Sequence, residues 1–174
     1  PVFVEIKQRL DRVTQKRRVL LPYGQARRLC DQREMPDLAL GNRPEDRRVL
    51  EEILAMLWQY DLRPTSLVRY WRQALSGTDY DIGLRVTFDT ELTYRMTDLE
   101  ACGDGWGQPM LPADQAIVEI KVNERIPYWL TELVGQHNLS LTRVSKYCRS
   151  IELAGLGRSD RVWPGVVPVA LDVQ

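Results

Sequence analysis

The amino-acid sequence predicts an α+β fold built on antiparallel strands. Six segments alternate apolar and polar residues with the period of two that a half-buried strand requires, and four segments have helical signals. Strands and helices occur in separate groups rather than in a regular β-α-β order, which favours antiparallel pairing. A chain of 174 residues, 44% of them hydrophobic, can bury one sizeable core, so we expect a single domain over residues 1–174.

The first two predicted strands cover residues 2–9 and 12–20. Alternation gives the first strand an apolar face and an opposite face that carries Phe3, Glu5 and Lys7. One face of the second strand carries Thr14, Lys16 and Arg18. The other face contains valines but is interrupted by Gln15 and Arg17. Each strand therefore presents long cationic side chains on one face.

Two helices are predicted next, over residues 22–31 and 44–60, with a loop at 32–43 between them. Pro44 suits the first position of a helix, and the acidic residues that follow it complement the positive end of the helix dipole. The apolar residues of this helix recur at the spacing of one buried face: Leu50, Ile53, Leu54 and Leu57.

The later part of the chain contains the remaining predicted elements. Strands are predicted over residues 65–76, 83–89, 91–96 and 115–122, and helices over residues 126–137 and 144–153. Residues 78–83 suit a hairpin connection, and the glycine-rich stretch 97–114 suits an exposed loop. The C-terminal tail, residues 154–174, is predicted to be irregular.

Charge and composition exclude several classes of protein. The 24 basic residues, of which only four are lysines, balance 24 acidic ones, which argues against a general nucleic-acid binder. No apolar run is long enough to span a membrane, and no signal peptide opens the chain. Three widely spaced cysteines exclude a zinc-finger pattern and suit a reducing, cytoplasmic location. A single histidine argues against a catalytic triad, which leaves carboxylates, cations or an oxygen-ligated metal for any chemistry.

Charged strand faces recur along the sequence. Val-Glu-Ile-Lys occurs at residues 4–7 and again at 118–121, and in both copies Glu and Lys share one face. One explanation is an open sheet with a solvated face and weak cross-strand ion pairs. The other is a closed barrel whose lumen collects the charges. Phosphate chains would suit that lumen, because Arg grips oxygens in pairs and a carboxylate can anchor Mg²⁺ or Mn²⁺.

The chain resembles the VTC domain, the polyphosphate polymerase domain of vacuolar transporter chaperone complexes, which belongs to the CYTH-like triphosphate tunnel metalloenzymes. The resemblance covers residues 2–153 in six ordered blocks: VFVEIKQR, TQKRR, VRYWRQAL, GLRVTFDTEL, AIVEIKVN and SKYCRSIEL. It implies an antiparallel β-tunnel with helices packed outside, which binds ATP or another triphosphate and a growing polyphosphate chain.

The resemblance also implies roles for individual residues. The phosphate-binding positions of the family fall on Lys7, Lys16, Tyr70, Arg72, Arg85, Ser145 and Lys146. The catalytic positions fall on Arg72, Arg85 and Lys146. The metal-ligand position falls on Glu119, for Mn²⁺ or Mg²⁺.

The family has an N-terminal portion with further strands that this chain does not contain. We therefore expect an incomplete tunnel, with three alternatives: another segment completes it, a partner completes it, or the chain is an inactive fragment. The implied function is metal-dependent phosphoryl transfer from a nucleoside triphosphate to polyphosphate. Two alternatives use the same residues: hydrolysis of a triphosphate with water as the acceptor, and binding of polyphosphate or phosphate without turnover.

Overall fold

The fold is mixed α+β. A computed structural model describes residues 1–10, 13–37, 44–103, 105–156 and 168–173. The chain divides into two compact units, Pro1–Pro64 and Thr65–Gln174, and each has its own hydrophobic core. The predicted fold class is confirmed, because four helices accompany antiparallel sheets and no sheet closes into a barrel within the described residues. This arrangement is consistent with an incomplete β-tunnel.

The first unit is a β-hairpin packed against two helices. Strand β1 (Val2–Leu10) pairs antiparallel with β2 (Val13–Leu21), and helices α1 (Tyr23–Gln32) and α2 (Pro44–Gln59) follow. The core consists of Ile6, Val19, Leu21, Ala26, Leu29, Leu50, Ile53 and Leu57. Of the predicted loop over 32–43, residues 38–43 lie outside the described residues.

The interrupted apolar face of the second strand has a structural reason. Arg17 lies on the core side of β2, and its guanidinium donates two hydrogen bonds to the carboxylate of Glu52 on α2. The Nε–Oε2 distance is 2.8 Å. The apolar stem of Arg17 can therefore face the core while its charged end is paired at the edge of the helix.

The second unit is built on a six-stranded sheet. Its elements, in chain order, are β3 (Leu67–Ser76), a 3-10 turn (Asp79–Asp81), β4 (Arg85–Arg95), β5 (Gln108–Pro109), β6 (Ile117–Val122), α3 (Tyr128–Gln136), β7 (Ser140–Leu141), α4 (Lys146–Leu153) and β8 (Pro168–Val173). Strand β4 pairs antiparallel with β3, β5 and β6. No helix in the described part of the chain is long and apolar enough to cross a membrane.

The structure differs from the prediction in β4, which continues through residue 90, where the alternation predicts a break between two strands. Opposite Tyr70 of β3, strand β4 contains two residues, Glu91 and Leu92, so that the register shifts there. The φ of Glu91 is 50°, and the shift marks a β-bulge. The bulge turns Leu92 to the same sheet face as Asp89, and this change of phase explains the break in the sequence pattern.

The C-terminal tail also differs from the prediction. Its last described residues form β8, which lies between β6 and β7 and runs parallel to both. Pro168 stands at the first position of this strand, where a missing backbone N–H is tolerated. The prediction of an irregular tail rests on Pro164 and Pro168, and it overlooks the alternation of Val169, Leu171 and Val173. Residues 157–167 lie outside the described residues.

The two faces of this sheet differ in character. One face carries an apolar cluster, in which Ile120 packs against Leu130 of α3. The opposite face is apolar in one half, where Leu92 packs with Ile117. Its other half carries polar and charged side chains. We refer to this half as the charged face, and its members are Arg72, Arg85, Thr87, Asp89, Glu119 and Lys121.

Candidate functional site

The charged face is assembled by strand register. Its middle strand, β4, contributes Arg85, Thr87 and Asp89. On β6, Lys121 lies opposite the first of these and Glu119 lies opposite the second. On β3, Arg72 lies opposite the third. The alternation in the sequence predicts this common face, and the pairing of the strands brings its members together.

Asp89 is the centre of the ion-pair network. The carboxylate is fully buried, and it accepts hydrogen bonds from Nε and Nη2 of Arg72 at 2.6 and 2.7 Å. Lys146, the first residue of α4, places its Nζ 2.6 Å from the same carboxylate. A buried carboxylate is tolerated when it is paired and hydrogen-bonded, as Asp89 is by two cations.

Electrostatics keep this carboxylate ionised. Burial alone would raise the pKa of Asp89, but hydrogen bonds from Arg72 and Lys146 and their charges outweigh it, and the net shift lowers the pKa below its ordinary value. The hydrogen bonds to Asp89 raise the pKa of Arg72 still further. Both cations are therefore held in position by a carboxylate that is negatively charged at neutral pH.

Tyr70 supports the same two cations through its aromatic ring. The guanidinium carbon of Arg72 lies 5.1 Å from the ring centroid, and Nζ of Lys146 lies 4.8 Å from it. Contacts of this kind are worth about 0.5–2 kcal/mol, depending on desolvation. The structure thus brings three predicted phosphate-binding residues, Tyr70, Arg72 and Lys146, into one cluster.

Glu119, the predicted metal ligand, is engaged by two cations. Its carboxylate lies 3.5 Å from Nη2 of Arg72 and 3.3 Å from Nζ of Lys121. Within the described ranges, no group of three or more His, Cys, Asp or Glu side chains is arranged to hold a metal ion. Mg²⁺ is commonly held by one or two carboxylates together with water and phosphate oxygens. A single partly exposed carboxylate fits an ion that binds together with phosphate.

Arg85 and Ser145 occupy different environments. Arg85 is exposed on the charged face and forms no ion pair with any residue that the structure describes. Ser145 is the N-cap of α4, and its hydroxyl accepts a hydrogen bond from the backbone N–H of Cys148 at 3.3 Å. Ser145 therefore fixes the start of the helix at the residue that carries the Lys146 side chain.

Lys7 and Lys16 lie in the first unit, directly opposite each other across the hairpin. Both are exposed on the strand face that also carries Glu5 and Arg18. Like charges directly opposite each other destabilise a strand pair, unless an anion lies nearby. These two predicted phosphate-binding residues thus belong to a different unit from the charged face.

Sequence reasoning missed part of the site. The second Val-Glu-Ile-Lys places Lys121 on a charged strand face but gives it no role, and Asp89 receives no role from the sequence either. Burial is the property that distinguishes Asp89, and an alternating pattern does not report it. Sequence reasoning also assigned no role to Thr87. This residue is 2% exposed, and its hydroxyl forms no hydrogen bond with any described residue. Such an unpaired buried hydroxyl costs about 1–3 kcal/mol.

Comparison with known proteins supports the resemblance. No curated protein matches the chain. The family model of the VTC domain matches residues 1–154, which is most of the chain and includes every residue of the charged face. Membership of this family points to a polyphosphate-related function. The chain, with its open antiparallel sheets and its network of cations around Asp89, belongs to the VTC domain family.

Proposed function

We propose that the chain is a polyphosphate polymerase-like phosphotransferase that acts on ATP or another nucleoside triphosphate with Mn²⁺ or Mg²⁺. This proposal rests on one observation, the excess of positive charge on the charged face and at Lys146 beside it. Four cationic side chains face two carboxylates there, and a buried carboxylate fixes two of the cations. An excess of fixed positive charge is what a phosphate-binding surface requires, whereas a sheet face that is only solvated does not require it.

Three cations would bind phosphate oxygens. Arg72 uses Nε and Nη2 for Asp89, so that Nη1 is left for a ligand. Lys146 supplies a point charge beside it, and the exposed Arg85 extends the site along β4. Catalysis of phosphoryl transfer consists mainly of positioning and charge neutralisation, which this arrangement supplies without a nucleophilic side chain.

The reaction would transfer the terminal phosphoryl group. A terminal oxygen of polyphosphate attacks the γ-phosphorus, the bond between the γ-phosphorus and the bridging oxygen breaks, and the nucleoside diphosphate leaves. Arg72, Arg85 and Lys146 neutralise the charge on the oxygens during this step. Glu119 would hold the divalent cation, which adds further neutralisation between phosphate oxygens when it is bound.

Hydrolysis and binding without turnover remain the alternatives, and the products distinguish them. The chain is incubated with ATP and Mn²⁺, and the products are separated by gel electrophoresis and by an assay of free phosphate. Polymerase activity gives chains of increasing length, hydrolysis gives free phosphate alone, and a binding module gives neither.

The three free cysteines, Cys30, Cys102 and Cys148, agree with a reducing cytoplasmic setting for this activity.

The metal role of Glu119 is tested with the same assay. We expect Glu119→Gln to reduce metal-dependent turnover at least a hundredfold, because the amide is a weaker ligand for a hard cation. Glu132→Gln is the matched control, since Glu132 is exposed on α3, away from the charged face. Equal turnover in the wild type and in Glu119→Gln would remove Glu119 from the metal site.

A further inference from the structure

Thr87 is an unexplained polar residue at the centre of the charged face. It lies on the middle strand, β4, between Ala74 of β3 and Glu119 of β6. Its side-chain oxygen is buried and forms no hydrogen bond with any residue in the described part of the chain. Valine has the same shape and an equal preference for strands, and it would leave no polar atom without a partner. The hydroxyl therefore points to a ligand.

An ion pair crosses the strand beside this hydroxyl. Arg72 projects from β3 and Glu119 from β6, and these strands lie on opposite sides of β4. The contact between their side chains, at 3.5 Å, must therefore cross over β4. It crosses between the levels of Thr87 and Asp89, because Glu119 is the direct partner of Thr87 and Arg72 is the direct partner of Asp89. We refer to this ion pair as the cover of Thr87.

The carboxylate of Glu119 occupies a place that suits a phosphate. It lies between Nη2 of Arg72 and Nζ of Lys121. A phosphate group in the same place could pair with both of these cations. A phosphate with more than one negative charge competes for these cations better than a single carboxylate. Once Glu119 is displaced, its carboxylate is available to a divalent cation, and the Thr87 hydroxyl becomes accessible from the charged face.

We propose that the Thr87 hydroxyl is a phosphate-binding group, at a subsite that opens when a phosphate replaces the carboxylate of Glu119 between Arg72 and Lys121. The hydroxyl donates a hydrogen bond to a phosphate oxygen, and Arg72 and Lys121 balance the negative charge of the phosphate. This inference rests on the proposed function, because it names a further contact for the same phosphate chain.

Binding of tripolyphosphate without metal, measured by isothermal titration calorimetry on the whole chain, tests the subsite. We expect Thr87→Val to raise Kd about tenfold, as the loss of one hydrogen bond to a charged group predicts. Thr87→Ser keeps the hydroxyl and should bind within twofold of the wild type. The matched control is Thr90→Val, an exposed threonine on the other face of the same strand, which should leave Kd unchanged.

The cover is tested separately. We expect Glu119→Gln to lower the metal-free Kd for tripolyphosphate severalfold, because the neutral amide competes less for Arg72 and Lys121. Thermal unfolding of each variant is followed in parallel. If Thr87→Val fails to fold, Thr87→Ala replaces it, and its Kd is compared with that of Thr87→Ser.

The outcomes separate this inference from the proposed function. If the variants without the Thr87 hydroxyl bind as tightly as the wild type while Arg72→Ala binds more weakly, the subsite is wrong and the proposed function stands. If Arg72→Ala and Lys146→Ala also bind unchanged, the proposed function fails. A Kd for Glu119→Gln equal to that of the wild type would overturn the displacement of the carboxylate.

Discussion

Asp89 combines full burial with a full negative charge, and its neighbours determine whether that combination is stable. Arg72 contributes two hydrogen bonds and Lys146 contributes an ion pair. Removing the carboxylate would leave two cations side by side near the ring of Tyr70, with their mutual repulsion uncompensated. The residue therefore acts on stability and on the positions of two predicted phosphate-binding side chains together.

Acid should weaken the second unit through this residue. The folded-state pKa of Asp89 is lower than its unfolded value of about 3.9, so its ionised form stabilises the fold above that pH. This stability is lost as the pH falls from about 4 through the lower folded-state pKa. We expect Asp89→Asn to lower the free energy of unfolding by about 1–3 kcal/mol at pH 7, since both cations are partly exposed and partly solvated.

The measurement is urea unfolding of the wild type and of Asp89→Asn between pH 2.5 and pH 7. The difference in free energy of unfolding between the two proteins should shrink as the pH falls below about 4, because the wild type then loses the charge that the variant never had. A difference that stays constant over this pH range would show that Asp89 does not titrate with folding.

Strand periodicity predicts residues of the site only where a strand carries them. It places Glu119 and Lys121 on one face of their strand, and the structure agrees, because side chains in a strand must alternate. Lys146 lies on a helix, and its contact with Asp89 depends on how α4 packs against the sheet. That packing is set by residues distant in sequence, so the residue pattern around Lys146 could not reveal it. The family resemblance was needed to single it out.

At the scale of elements, the buried hydroxyl of Ser150 links α4 to the segment just before β3 in its own unit. Ser150 is fully buried in the helix, and its Oγ lies 2.7 Å from Oγ of Ser66, just before β3. The same Ser150 hydroxyl lies 2.7 Å from the carbonyl oxygen of Tyr147, to which it donates a hydrogen bond. Ser150 is one helical turn from Lys146 on the same side of α4, so this contact also sets the position of that cation.

A double-mutant cycle measures this contact. We expect Ser66→Ala and Ser150→Ala each to lower the free energy of unfolding by about 1 kcal/mol, and the double variant to lose less than the sum by about 0.5–1.5 kcal/mol. The measurement is urea unfolding of the four proteins. Strictly additive losses would mean that the two hydroxyls stabilise the unit independently of each other.

The prediction of elements succeeded where the pattern is local and failed where it is not. Helix α2 follows from its first-turn residues and its apolar stripe, and the structure places Leu50, Ile53 and Leu57 in the core. Strand β4 was divided in two because the bulge at Glu91 reverses the alternation without a glycine or proline to mark it. Strand β8 was missed although Val169, Leu171 and Val173 alternate, because a proline precedes them and the parallel pairing with β6 and β7 joins segments that are distant in sequence.

At the scale of the whole molecule, the neutral net charge conceals an uneven distribution. Basic and acidic residues balance at 24 each, yet cations are in excess on the charged face of the second unit. The exposed face of the β1–β2 hairpin contains Lys7, Lys16 and Arg18 against Glu5. A net charge of zero therefore argues against a protein that binds polyanions through a uniformly basic surface, but it is compatible with local phosphate sites.

The two units have separate cores, and unfolding should report them separately. Leu50 is fully buried in the core of the first unit and Ile120 is 2% exposed in that of the second. We expect two unfolding transitions in urea. Leu50→Ala should lower the free energy of unfolding of the first unit by about 2–5 kcal/mol, and Ile120→Ala should lower that of the second unit by a similar amount. Each truncation should affect one transition only, because it leaves a cavity in one core only. Intrinsic fluorescence of Trp58 in the first unit and Trp71 in the second, isolated in single-tryptophan variants, assigns each transition. If either substitution shifted a single shared transition, the units would unfold as one cooperative body.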